Sequence, residues 1–116
     1  MYDKTIFTQS SAIKRFIYAL ENKLFVEAHE LLEHDWKFYK KNDEKEKAKA
    51  LKGLINGATA LALYYTKNKP EGYKKVWPVF EKYKHLLDEI ELEEKEIFHE
   101  ARDLLIKINN DISFNN

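Results

Sequence analysis

His29 and Glu33 stand four residues apart, and this spacing is the clearest chemical signal in the sequence. On a helix it sets an imidazole and a carboxylate one turn apart on one face. A neutral histidine nitrogen and a carboxylate so placed can chelate one divalent metal ion. They can equally serve as an acid/base pair. Glu30 and Glu27 flank them and are the candidate general bases if a metal-bound water is the nucleophile. Trp36 lies beside the pair, and Asn56 or Thr59, from a later segment, would complete a small polar pocket. The competing reading is architectural. In it His29 bonds Glu33 or a neighbouring helix, and Glu27 and Asp35 pair with Tyr, Trp or Lys, because buried polar groups are normally satisfied ones.

Established metal and nucleophile motifs fit poorly. The stretch His29-Glu30-Leu31-Leu32-Glu33-His34 has its two histidines five apart rather than the four a zincin needs to bring both to one helix face. The inverted motif also misses by one residue. Glu96 and His99 form one Glu-x-x-His unit, whereas a di-iron bundle requires two, with two further glutamates. His85 and His99 read as surface or cap residues. No glycine-rich phosphate loop occurs, and Ser10, Ser11 and Ser113 lack a nucleophile-elbow context.

The elements that must position these residues read as helices throughout, since the apolar residues recur at helical rather than alternating spacing. A first helix begins near Thr8 or Ser10, with Ile13, Phe16, Ile17 and Leu20 on one face and Asn22 as its stop. A second runs from about Leu24 to Lys40, with Leu24, Phe25, Ala28, Leu31, Leu32, Trp36 and Tyr39 inward. As one continuous rod it puts His29 and Glu33 on an edge of that face, Glu27 on the opposite edge, and Glu30 and His34 outward. Asp35 then falls near the middle of the apolar face, where an unpaired carboxylate is costly. A third helix follows Asn42 or Asp43, with Glu46 in capping-box position, and reaches about Thr66. From Gly53 to Tyr65 it is apolar or small nearly all round, the mark of a helix buried among others. Its two glycines predict close backbone approach by a neighbour. Asn68, Pro70 and Gly72 mark a turn. The fourth helix carries Pro78 either at a kink or in its first turn. The last holds Ile97, Phe98, Ala101, Leu104, Leu105 and Ile108, and residues 111–116 read as a frayed tail. The expected architecture is all-α: about five helices in a compact bundle, with residues 44–66 at the centre, in one domain spanning 1–116.

Composition bounds the function. The 116 residues carry 20 Lys plus Arg against 20 Asp plus Glu, a net charge of zero, which does not suggest a strongly basic nucleic-acid binder. Arg15 and Arg102 are the only arginines, which weakens a base-reading role further. Cysteine is absent, which excludes disulfides, zinc-thiolate sites and cysteine nucleophiles and fits a reducing compartment. No apolar stretch is suited to span a bilayer, and the first residues lack the basic-then-apolar pattern of a signal peptide, so the cytoplasm is the expected location. Charge is segregated: residues 37–52 hold seven lysines against three acids, and 88–103 hold eight acids against one Lys and one Arg. That asymmetry would orient a partner or a second copy; the plainer reading is two solvated helix faces. Sixteen aromatic residues are more than a core of this size needs, and Tyr73, Trp77 or Phe114 would suit an oligomer interface.

The segment Phe25-Val26-Glu27-Ala28-His29-Glu30, followed by Glu33 and Trp36, resembles the signature of the domain of unknown function 309 family. Gly53-Leu54-Ile55-Asn56, leading into an alanine-rich helix, resembles that family's Gly-Leu-Ile-Gln run, and Pro70 with Gly72 opens the next helix as in the family. The likeness covers about residues 10–90. It implies an all-helical fold with one central helix, and a loose label of predicted metal-dependent hydrolase. The chain departs from the pattern at Asn22-Lys23, where the family carries Gly, at Lys37 in place of Arg, at Asn56 in place of Gln, and at Tyr64 or Tyr65, where His is common.

Two functions follow. One is a binding or interaction module, self-associating through its aromatic and charged surfaces. The other is a metal-assisted hydrolase with His29 and Glu33 as ligands to a divalent metal. The sequence names no substrate for either.

Overall fold

The computed structural model describes the backbone of residues 11–115 and the side chains of residues 11–112. Within that span the chain forms α1 (Ala12–Glu21), α2 (Phe25–Leu31), α3 (Glu33–Lys41), α4 (Lys45–Leu61), a π-helical turn (Ala62–Thr66), α5 (Pro70–Tyr83), the single turn α6 (Leu86–Glu89) and α7 (Lys95–Asn115). No strand occurs among the described residues. Taken as rods, α2 with α3 and α5 with α6 each follow one course, giving the five expected. The Cα radius of gyration is 13.5 Å, close to the roughly 13 Å of a compact chain this long.

Helix α4 is the hub. It packs against α2, α3, α5, α6 and α7, while α1 closes the bundle by lying on α2 and α7. Its buried residues, Ala48, Ala50, Leu51, Gly53, Leu54, Gly57, Ala58, Ala60 and Leu61, face every direction, as the all-round small and apolar composition requires. The two glycines are where α5 comes closest. A β-carbon on Gly53 would stand 3.0 Å from the Tyr83 Cβ, and one on Gly57 would stand 3.2 Å from the Phe80 ring. Neither glycine has a positive φ, so the need is for space, not for backbone freedom. Phe16, Leu20, Leu32, Leu87, Leu105 and Ile112 fill the core around this hub.

Several boundaries differ from the sequence reading. Thr8 and Ser10 lie outside the described residues; the described helix starts at Ala12, and the Ser11 hydroxyl caps it by accepting from the Lys14 N–H. Asn22 does end α1, with its side chain donating to the Tyr18 carbonyl at 2.8 Å, but the left-handed residue is Lys23, at φ 60°. That is the place where the family carries glycine. The second rod is not continuous. It breaks at Leu32 (φ −97°, ψ −4°), which ends α2 and starts α3. The Glu46 capping box does not form: Asp43 takes a left-handed turn at φ 58°, and Glu44 precedes α4 without a side-chain cap.

Past Leu61 the central rod widens. The Lys67 N–H reaches back five residues to the Ala62 carbonyl at 2.9 Å, and Lys69 reaches Leu63 at 2.7 Å. Asn68, at φ 54°, then turns the chain into Pro70, the first residue of α5. Pro78 sits in the interior of α5, not in its first turn. Both Pro78 and Lys74, whose carbonyl loses its partner there, are exposed, so water can satisfy that carbonyl. The helix α7 runs on through Asp111 to Asn115 and buries Ile112 where a frayed tail was expected, because Ile112 continues the apolar stripe of Leu105 and Ile108. The Tyr73 hydroxyl donates to the Asn109 side-chain oxygen and ties α5 to α7. Tyr73 and Trp77 are taken up by ring contacts running from Tyr64 through Tyr73 and Trp77 to Phe80, while the Phe114 side chain lies outside the described residues.

Candidate functional site

His29 occupies the last turn of α2, and Glu33 is the first residue of α3. The break at Leu32 falls between them without separating them. His29 Nε2 lies 3.5 Å from Glu33 Oε1, with the two side chains 30% and 37% exposed. The other ring nitrogen, Nδ1, is 2.6 Å from the Val26 carbonyl oxygen. A carbonyl only accepts, so Nδ1 carries the proton, and Nε2 presents its lone pair toward Glu33 when the ring is neutral. The pair forms a true ion pair only with the ring protonated. Glu27, Glu30 and His34 are exposed, as the helix wheel placed them. Among the described residues, no group of three or more His, Asp or Glu side chains gathers to hold a metal.

Asp35 departs from the wheel. The change of course at Leu32 moves it off the apolar face to a partly exposed position in a groove shared with Tyr39, Lys47, Glu93 and Glu94. Burial raises the Tyr39 phenol above its usual range, Lys47 opposes that shift, and Asp35, Glu44 and Glu93 reinforce it. The costly unpaired carboxylate in the core therefore does not arise.

Trp36 organises the surface that α3 and α4 present together. A small cleft of about 140 Å³ is lined by Glu33, Trp36, Lys52, Ile55 and Asn56. Glu33, Trp36 and Asn56 are thus brought together as expected, while His29 and Thr59 stay outside the cleft. Asn56 donates its side-chain amide to the Lys52 carbonyl at 2.8 Å, and the Thr59 hydroxyl donates to the Ile55 carbonyl at 2.9 Å. Both follow the usual habit of short polar side chains on a helix, bonding back one turn.

On the other side of Trp36 a second cleft, of about 290 Å³, is lined by Lys40, Asp43, Lys45, Ala48, Lys49 and Lys52 as well as the indole. The short turn Asn42–Glu44 brings the end of α3 beside the start of α4, so lysines from both helices converge there. Lys40 Nζ sits 5.0 Å from the centre of the Trp36 ring, a cation–π contact. Lys45 finds Asp43 at 3.9 Å, but Lys40, Lys49 and Lys52 have no carboxylate within 4.0 Å among the described residues. The lysine excess of residues 37–52 signals this cluster in the sequence, whereas its convergence on Trp36 depends on the turn.

A family model described as Domain of unknown function (DUF309) matches residues 13–76. That is 64 of the 116 residues, more than half of the chain. The chain belongs to this family. The DUF309 match runs from α1 into the first half of α5, so it takes in His29, Glu33, Asn56 and both clefts beside Trp36. It stops short of α7 and of the acidic stretch 88–103. No curated protein and no solved structure matches the chain. The DUF309 description names no activity, and a family label without chemistry does not supply one.

Proposed function

We propose that this chain is a non-covalent binding module that takes an anionic ligand or partner on the face built around Trp36. One observation carries the reading. Lys40, Lys49 and Lys52 converge on a half-buried indole with no carboxylate to neutralise them, in a chain whose net charge is zero. Surface lysines in a balanced chain ordinarily find acids one turn away, as Lys74 and Lys84 do with Glu71 and Glu81. A cluster of one sign beside an aromatic ring instead attracts and orients anions. Titration of the whole chain with a panel of soluble anions (inorganic tripolyphosphate, polyglutamate, nucleotides) tests this through Trp36 emission. At least one should change the emission, more weakly as salt rises, and the paired change Lys49→Glu with Lys52→Glu should abolish the response. Indifference to every anion would sink the proposal. Sedimentation at low and high salt reports whether the acidic stretch of a second copy is such an anion.

The metal-assisted hydrolase has one observation in its favour. A proton held on His29 Nδ1 by the Val26 carbonyl leaves Nε2 as the coordinating nitrogen, the arrangement in which backbone acceptors orient metal-binding histidines. With Glu33 it supplies two ligands, and Glu30 or Glu27 would have to act as base from an exposed position. Elemental analysis of protein purified without chelator decides the point: about one divalent metal per chain, lost in His29→Ala, is the result this reading requires.

A further inference from the structure

We propose that the paired clefts at Trp36 form a site for a nucleotide-class ligand, meaning a planar heteroaromatic ring that carries two or more phosphates; the inference rests on the binding-module reading above. Three features narrow an anion to this class. The first is the kind of cation. Lysine binds phosphate as a point charge, whereas planar carboxylate recognition favours the arginine fork. Both arginines are elsewhere: Arg102 is held by Asp88 and Asp103, and the Arg15 side chain lies against the Ser11 carbonyl.

The second feature is spacing. Lys45, Lys49 and Lys52 fall on one face of α4, and seven residues of helix rise about 10 Å. Such a row accommodates more than one phosphate, and Lys40 from α3 faces it across the cleft. The third is the indole. Trp36 and Lys52 line both clefts, so one ligand can span them. A ring would lie in the smaller one against Trp36 and Ile55, with Asn56 and Glu33 at its polar edge, while its phosphates reach the lysines in the larger one. The Lys40 ammonium already occupies the place over the indole that electron-rich rings offer a cation. A ligand phosphate would draw it off and free that face for stacking.

The test is fluorescence titration of the full chain with ATP, with adenosine and tripolyphosphate as the two halves, and with polyglutamate and a single-stranded oligonucleotide as other anions. Trp77 is only 7% exposed and donates to Glu81, so a quench removed by Trp36→Phe belongs to Trp36. ATP should quench, and adenosine and tripolyphosphate should each bind at least about tenfold more weakly, since affinity multiplies when both halves are engaged. Lys49→Gln with Lys52→Gln should weaken ATP while leaving adenosine unchanged, a split that general loss of fold would not produce. Quenching by polyglutamate with none by ATP would overturn the nucleotide assignment and leave the binding module standing. So would an oligonucleotide that binds far more tightly than ATP, in favour of a strand-binding face. Silence from every ligand would overturn both proposals.

Discussion

Leu105 places its Cδ1 methyl 2.9 Å from the point where a β-carbon on Gly57 would stand. Phe80 closes the same point from α5 at 3.2 Å, and both side chains are fully buried. Replacing this glycine by alanine sets two effects against each other. Better helix propensity gains about 1 kcal/mol, and overpacking a filled core costs about 1–3 kcal/mol. Because neither neighbour has free space to move into, overpacking should win, and Gly57→Ala should lower the unfolding free energy by about 1 kcal/mol. Gly72→Ala is the contrast. Its β-carbon would meet only methyl groups of the half-buried Leu63, at 3.1 and 3.4 Å, and that side chain can yield. Urea denaturation should show Gly72→Ala neutral or slightly stabilising.

Lys23 holds a left-handed backbone at φ 60° in the turn between α1 and α2. An L-residue in that region is strained by about 1–2 kcal/mol, and glycine there is limited mainly by about 0.5–1 kcal/mol of extra chain entropy. Lys23→Gly should therefore raise stability by about 0.5–1 kcal/mol, whereas Lys23→Ala should not. Thermal melts of the two variants side by side separate backbone strain from loss of the lysine side chain.

Asp88 receives Arg102 Nη1 at 2.8 Å, fastening α6 to α7, and His99 Nε2 lies 3.5 Å from the same carboxylate oxygen. The hydrogen bond from Arg102 holds the Asp88 carboxyl below the usual carboxylate range. A depressed folded-state pKa stabilises the protein above the unfolded value and is lost as pH falls through the folded one. The contact should contribute fully at neutral pH and fade below about pH 4, the ordinary carboxylate value. Asp88→Asn should flatten that part of the acid limb. Equal acid sensitivity in both proteins would show that the contact adds nothing.

The helices were legible where periodicity alone decides. The stripe of α1, the all-round apolar stretch of α4 and the long face of α7 each identified an element and its burial. The break at Leu32 was not, because leucine is a good helix former and neither glycine nor proline marks the place. That omission misplaced Asp35, since every wheel angle beyond residue 32 assumed a straight rod. Part of the candidate site was readable: Glu33, Trp36 and Asn56 do meet. Thr59 was misassigned because a hydroxyl on a buried helix has a nearer partner in its own backbone, the Ile55 carbonyl. The lysine excess was visible, but its focus on one indole depends on how the Asp43 turn joins two helices, and spacing within either helix does not encode that.

The wide turn at Ala62–Thr66 holds one residue more than an α-helical ladder would use. Excising any one of those five would let the rod close into ordinary α-helix and swing all that follows by about 100°. The face of α5 that carries Phe80 and Tyr83 would then miss the two glycines cut to receive it. Chain length in this short stretch is thus a structural constant of the protein, and a single deletion there should be far more damaging than most substitutions.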